Sequence, residues 1–510
     1  MTEQNQKADE KNSFFVARWI FVRLVGLIYL MAFLSISAQM IGLIGREGIL
    51  PAVDYLKAVE EYLGPKRFYQ VPTFFWINAS DGALRTVCLL GIVSSVMVIL
   101  GVAQAFSVLM CWGLYLSIFS VGQVFLGFQW DILLLEVGLL TVFLAPWQIF
   151  EDRNRADPPS RMALLLLKWV LFRLMFESGV VKLLSGDQTW RDLTALTYHY
   201  FTQPLPNTLS WFVHQLPDWF HKTCCAVMFF IELVTPFCIF FMRWGRQTAF
   251  WCLTGLQIVI LITGNYCFFN ALAIALCVIL VDDGMFRKLI PKWLRAYCFS
   301  LESRLGISCP SDLISQGGMK LVIKNLLVAM LGVMIGVVTS VHLYKMFDQK
   351  RVIAKPLLEV ISWIQPLNSI NSYGLFAVMT TTRREIIIEG SQDLKTWKTY
   401  EFKYKPGDLK RRPVQIAPYQ PRLDWQMWFA ALSDYRYHRW FLPFLKRLLE
   451  GSSAVTGLLE INPFAESPPK FIRAQFYDYE FTDGSTRRTT GQWWQRKHLG
   501  LYSPVLQLSK

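Results

Sequence analysis

The chain has 510 residues, of which 53% are hydrophobic and only 17% charged, against roughly 25% charge in an ordinary soluble domain. That deficit excludes a disordered or acidic solvating chain, and with a mean hydropathy of +0.33 it points to membrane spans. The formal net charge of +14 suggests nucleic acid only if the charge is clustered for it, so its placement decides its meaning.

In chain order, the first apolar segment runs over about 16–44. It is longer than a signal-peptide core and lacks a small-residue cleavage site, while Arg18 and Arg23 at its start can snorkel. Between Arg85 and Asp131 there is no Asp, Glu, Lys or Arg, a gap wide enough for two spans at 83–103 and 105–126. Further segments follow at 131–149, 162–184, 223–242, 248–264, 266–282 and 321–345, about nine in all. The pair 248–264 and 266–282 also fits a re-entrant hairpin, because Gly264-Asn265 interrupts it. With the N-terminus in the cytoplasm, the cytoplasmic loops carry Arg153, Arg155, Arg161, Arg243, Arg246, Arg287, Lys288, Lys292, Arg295, Arg304 and Lys320, eleven cations, with Lys7 and Lys11 in the tail. The opposite loops carry six: Arg46, Lys57, Lys66, Arg67, Arg191 and Lys222. The positive-inside rule therefore places everything after the last span outside the cytoplasm.

Four stretches carry polar chemistry. In 129–136, Asp131 stands at a helix start, where it can cap or meet the dipole, and Glu136 lies deeper, where an ionised group needs a partner. In the next span, Arg173 and Glu177 are spaced to pair at i,i+4, with Lys168 and Lys182 roughly opposite. A helix with four ionisable groups faces protein or a wet cavity, which Glu232 of the following span can share. The loop after Lys182 adds Asp187, Trp190, Arg191 and His199; a desolvated Lys can serve as a base and a His titrates near neutral pH. Structural readings compete at each: interhelical glue for the charged span, a hydrogen-bonded loop residue for His199. No metal spacing, catalytic triad or phosphate loop accompanies them.

The composition changes near residue 370. Residues 371–510 carry 21 Lys/Arg against 13 Asp/Glu, a net of +8, and no cysteine; the ten cysteines all precede residue 310. Strands are expected at 384–390, 396–404 and 470–482, with a hairpin-like turn at 391–395, and short helices at 424–432 and 435–449. The domain plan is a multi-pass helical domain over 1–350, a linker over 351–370 and a mainly β domain with helical insertions over 371–510. Trp397, Tyr404, Tyr419, Arg422, Trp425 and Trp428 are candidate client contacts, since Trp, Tyr and Arg dominate interface hot spots. Nucleic-acid stacking is a poor reading for a domain held outside the cytoplasm on a membrane.

These stretches resemble the lipase maturation factor family. The carrying residues are 129–136, 182–206 with its Trp-Arg-Asp-Leu-Thr and Tyr-His-Tyr-Phe-Thr-Gln-Pro-Leu-Pro, 400–432, Asn462-Pro463-Phe464, Pro468-Pro469, Phe471-Ile472-Arg473-Ala474 and Trp493-Trp494-x-Arg496. The resemblance implies a polytopic protein that assists folding or assembly of exported lipases, without a cofactor or metal. It also implies an endoplasmic reticulum membrane in a eukaryote or the inner membrane in a bacterium, with the C-terminal domain lumenal or periplasmic. The membrane half is also distantly similar to the vitamin K-dependent γ-carboxylase membrane domain around Lys182, Leu183, Asp187 and Trp190. That similarity implies an alternative, an enzyme with a quinone-like lipid, Lys182 as base and Glu177 or His199 assisting. A transporter is a third reading, from charged spans alone, without an inverted repeat. A packed ion-pair network around 162–206 would favour the maturation factor; an enclosed polar cavity open to lipid would favour the enzyme.

Overall fold

The computed structural model describes residues 13–150, 158–289, 319–348 and 353–508. The loop cations Arg153, Arg155, Lys292, Arg295 and Arg304, the tail residues Lys7 and Lys11, and Cys298 and Cys309 lie outside them.

Each expected apolar segment contains a helix: α1 Phe15–Ser37, α2 Asp81–Leu100, α3 Gln104–Val121, α4 Gln129–Leu144, α5 Arg161–Leu184, α6 Asp218–Leu233, α7 Arg243–Thr263, α8 Phe269–Val278 and α9 Met319–Phe347. Six apolar helical segments are long enough to cross a membrane: α1, α2, α3, α6 with its extension to Phe240, α7, and Leu326–Phe347 of α9. The other three fall short for separate reasons. Helix α4 has 16 residues and α8 only 10, which at 1.5 Å per residue reach about 24 and 15 Å against a core of roughly 30 Å. Helix α5 has 24 residues, but its charges interrupt the apolar run.

The helix ends follow local chemistry. Ser80 and Ser160 cap α2 and α5 by accepting from the Ala83 and Ala163 N–H groups. Gly101 closes α2 at φ +82°, a left-handed position that glycine takes without strain. Pro236 cannot donate a backbone N–H, so α6 gives way to a 3₁₀ turn, Thr235–Phe240. Helix α1 packs on α2, α4 and α8, and α5 on α4, α6 and α9. Two glycines let α1 approach closely: a Cβ at Gly138 would lie 1.9 Å from the Tyr29 hydroxyl, and one at Gly91 2.3 Å from the Phe33 ring.

The opposite ends of the bundle meet different partners. At one end Asp283 accepts from the Phe15 and Val16 N–H groups at 3.0 Å each, and Arg243 pairs with Asp282 at 2.7 Å. The other end is covered by the C-terminal domain, reached through α10 Lys355–Ile364.

That domain is built on a five-stranded antiparallel sheet in the order β3-β2-β1-β4-β5. The strands are β1 Arg383–Ser391, β2 Trp397–Phe402, β3 Leu459–Ile461, β4 Phe471–Phe481 and β5 Trp494–Leu506. Ile388 faces Tyr400 on one side and Ala474 on the other, and Phe476 faces Gly500. In the β1–β2 turn, Asp393 accepts from the Lys395 and Thr396 N–H groups, which bends the chain where the sequence predicts a hairpin. Helices α11 Arg422–Ala430, α12 Phe441–Leu449 and α13 Gly484–Thr490 complete the domain. The expected helix over 435–449 is two pieces, a 3₁₀ turn at Tyr435–Tyr437 and α12. Strands β3 and β5 were not expected from the sequence. One hydrophobic core runs without a break from Phe21, Tyr29 and Leu134 of the bundle to Ile388, Phe402, Trp425 and Phe444 of the sheet domain.

Candidate functional site

The buried charges lie where bundle and sheet domain meet. Asp131 sits in the first turn of α4, and Arg422 opens α11 almost three hundred residues later. Arg422 grips both carboxylate oxygens, Nη2 to Oδ1 at 2.8 Å and Nη1 to Oδ2 at 3.0 Å. Tyr115 donates to Oδ1 at 2.5 Å, and Nη1 also reaches the Phe125 carbonyl at 2.6 Å. Both charged side chains are 0% exposed. Burial alone would pull the guanidinium pKa down, but Asp131 outweighs it and holds it above its ordinary value. Gln39 at the end of α1 binds the same segment: its amide donates to the Gln420 carbonyl at 2.7 Å and accepts from the Arg422 N–H at 2.9 Å. Asp131 thus meets the start of α4 as expected, but through a cross-domain ion pair and not as a side-chain cap.

A second cluster lies deeper, seven residues into α4, roughly 10 Å from its start. Glu136 and Arg173, both 0% exposed, form a direct ion pair. The expected i,i+4 pairing of Arg173 with Glu177 is corrected here, because Arg173 reaches across to α4 instead. Between these helices lies a non-helical segment of the chain itself, residues 369–374. Arg173 donates to the Asn371 carbonyl at 2.5 Å; Glu136 accepts from the Asn371 N–H at 3.0 Å and the Tyr373 hydroxyl at 2.7 Å. Glu177 accepts from the Tyr373 N–H at 2.7 Å, and Gln129 from the Gly374 N–H at 3.1 Å. Irregular backbone buried between helices is tolerated only where protein satisfies its polar groups, and these side chains do so. The segment is flanked by left-handed residues, Asn368 at φ +47° and Phe376 at φ +55°. Asn takes that conformation readily; Phe does not, and Phe376 is held by the Trp190 indole N–H on its carbonyl at 3.1 Å.

Lys182 and Glu232 are brought together, Nζ to Oε2 at 2.7 Å, with the Ser178 carbonyl at 3.2 Å and the Trp190 ring beneath the ammonium. Asp187 accepts from the Met379 N–H at 2.6 Å and the Thr189 N–H at 2.8 Å. Burial would raise its pKa, and these N–H donors together hold it below its ordinary value. His199 lies 3.1 Å from the Tyr266 hydroxyl, which donates to Gln203 at 2.8 Å. Burial, and then the Lys182 charge, push the imidazole down to about 4, so it is neutral near pH 7. Arg383 locks the next layer, donating to the Phe201, Gln203 and Pro204 carbonyls and to Glu385, which also pairs with Lys405 at 2.9 Å.

Two expected members lie elsewhere. Lys168 sits 4.7 Å over the Phe14 ring, close to Arg246 and away from the seam. Arg191 is exposed.

The client-contact set divides. Arg422 and Trp425 are interior, Trp425 packing on Trp130 at 4.9 Å, so a client cannot reach them in this arrangement. Trp428 is half-buried and donates to the Thr202 carbonyl at 2.9 Å. Trp397, under the Arg473 guanidinium, and the contacting pair Tyr404 and Tyr419 remain partly exposed on the domain. The sequence pointed to Asp131, Glu136 and Arg173 because charge is costly in a span. It gave no signal for Tyr115, Gln39, Asn371, Tyr373 or Arg383, whose surroundings are ordinary until the fold assembles them.

Residues 16–288 match the family model for the lipase maturation factor transmembrane domain, and residues 369–504 that for the lipase maturation factor C-terminal domain. The chain is 34% identical to lipase maturation factor 2 of Gallus gallus, covering 96% of this chain and 81% of that protein. It is 33% identical to lipase maturation factor 1 of Mus musculus, covering 97% and 88%, and 32% identical to that of Homo sapiens, covering 98% and 89%. No solved structure matches the chain. The six apolar helices, five of them within the matched transmembrane domain, and that match make this an integral membrane protein.

Proposed function

The chain belongs to the lipase maturation factor family, and on that premise we propose that it is a membrane-embedded maturation factor acting on exported lipases. In this reading nine segments cross or enter the membrane and the sheet domain lies outside the cytoplasm, lumenal or periplasmic. The eleven-to-six excess of Lys and Arg on the opposite loops supports that side. The sheet domain holds the client, with the partly exposed Trp397, Tyr404 and Tyr419 among its contacts, and the bundle presents it at the membrane surface. No cofactor is invoked.

The observation that carries the reading is the occupied seam. Glu136, Arg173 and Glu177 are spent on residues 371–373 of the same chain, and Lys182 on Glu232. Glu136, Arg173 and the Oε2 atom of Glu177 thus hold residues 371–373 against the bundle, and Lys182, the base of the enzyme reading, is held in an ion pair within the bundle. The test is maturation of a co-expressed secreted lipase in cells lacking the endogenous factor, with photo-crosslinking from the sheet domain. Arg422→Ala is expected to abolish lipase activity, and a Lys182→Met/Glu232→Leu double variant of normal abundance to keep it. Full lipase activity without the chain, or crosslinks absent from the whole sheet domain, would sink the proposal.

A further inference from the structure

The chain on either side of α10 fixes its height. The helix starts eight residues after α9 ends at Phe347, the last residue of a segment long enough to cross a membrane. Five residues after α10 ends at Ile364, Ser369 accepts from the Trp112 indole N–H at 3.0 Å. Trp112 stands midway along α3, another helix of membrane length. Five residues span at most about 18 Å, and half the bilayer, headgroups included, is roughly 20 Å. The C-terminal end of α10 therefore lies no farther out than the headgroup layer, on the side of the sheet domain. The bundle sets the same level independently. The Trp363 ring meets that of Tyr69 at 5.9 Å between centroids. Four residues on, Thr73 donates to the Ser117 carbonyl at 3.0 Å, one turn from the end of α3 nearest the sheet domain.

At about 100° per residue, α10 has three faces. Ile361 and Ile364 are half-buried against the common core. Lys355, Glu359 and Ser362 form an exposed polar face on the far side. Between them, Val360 and Trp363 are 43% and 71% exposed, beside Phe68 and Tyr69 at 56% and 41%. None of the ten residues of α10 is buried. Trp and Tyr favour the headgroup level, where one edge of the ring is apolar and the other wet. Charge selects against other occupants. From Asp348 to Ile364 there are three Lys/Arg and two Asp/Glu, and from Ala52 to Gln70 three of each, so the patch has no net field for a charged partner. We infer that α10 lies flat in the membrane interface, with Val360, Trp363, Phe68 and Tyr69 inserted among phospholipid headgroups and upper acyl chains. Apolar burial holds it there, not headgroup charge. The connection between the last span and the sheet domain is thus a lipid-bound anchor. The inference needs only the membrane and stands apart from the client role.

The test uses the full chain in phosphatidylcholine nanodiscs. A photo-crosslinker in place of Trp363 is expected to capture phospholipid at least about fivefold more than one in place of Ser362 on the polar face. Adding phosphatidylserine or raising the salt is expected to leave that yield unchanged. In a Val360→Asp/Trp363→Asp variant, the amide hydrogens of residues 355–364 are expected to exchange at least about tenfold faster, while those of β1 and β4 keep their rates. Equal lipid capture at Ser362 and Trp363 would overturn the inference. So would capture only in the presence of phosphatidylserine, because the site would then be a headgroup-charge site. Unchanged exchange in the variant, or a Trp363 adduct to a second copy of the chain or to a co-expressed lipase in place of lipid, would overturn it as well.

Discussion

The two ends of the helix bundle handle charge in opposite ways. At the end that meets the sheet domain, Asp131, Glu136, Arg173 and Arg422 are all 0% exposed, and the Asp131–Arg422 pair joins segments 291 residues apart. At the other end Asp282 is only 1% exposed, but its partners Arg243 and Arg246 are 28% and 15% exposed. Water can reach those guanidinium groups, and Asp282 keeps a second cation when one is lost, whereas neither holds at the seam. Paired buried charges add little net stability, but deleting one partner leaves an uncompensated charge in a dry interior. The seam therefore acts as a lock: its charges cost most when they are broken singly.

The sharpest break is Arg422→Ala, expected to cost about 3–5 kcal/mol and to release the sheet domain, seen as new protease cleavage between residues 353 and 382. Next is Glu136→Leu, expected to cost a similar amount or slightly less, about 3 kcal/mol. Replacing Arg173 with Met as well is expected to restore only part of this, because the Asn371 N–H and Tyr373 hydroxyl still lose their acceptor. Denaturant titration of the single and double variants measures both.

Acid acts on the same end of the molecule. His199 is pushed down to about 4, mainly by burial, whereas an unfolded imidazole titrates near roughly 6.5. The folded state binds fewer protons between those values, so stability is full above pH 6.5 and falls as pH drops towards 4. The expected loss is on the order of 2 kcal/mol after partial exposure is discounted, and His199→Gln should flatten that part of the curve. Tyr373→Phe removes one hydrogen bond to Glu136 and is expected to cost about 1–1.5 kcal/mol. Arg243→Ala, at the other end, is expected to cost about 1 kcal/mol, because Asp282, itself 1% exposed, keeps Arg246 and the Met285 N–H. A cost at Arg243 equal to that at Arg422 would erase the contrast between the ends.

The helices were legible because charge is scarce in them: the uncharged stretch between Arg85 and Asp131 is α2, α3 and their turns. The β1–β2 hairpin was legible from its alternation and turn residues. Residues 369–374 were not, since Ser-Ile-Asn-Ser-Tyr-Gly has no period and its partners lie about 200 residues away. Strand β5 was hidden by its polar run Gln495-Arg496-Lys497-His498 and by Pro504, which an edge strand tolerates and a central one does not. Arg422 looked like a contact residue because its sequence neighbours are aromatic. Only Asp131, brought to it by the fold, shows it to be interior. The isolated charges at Asp131, Glu136, Arg173 and Lys182 stand out in an apolar sequence, but what each is for depends on a partner that spacing along one helix cannot name.

A double-mutant cycle between Asp131→Asn and Arg422→Gln, read by reversible denaturation of the full chain in detergent, tests the lock most directly. If the sheet domain is fastened through this pair, each single change costs about 3 kcal/mol and the double costs far less than their sum, a coupling of at least about 2 kcal/mol. Additive effects with coupling near zero, and no new cleavage between residues 353 and 382, would contradict it.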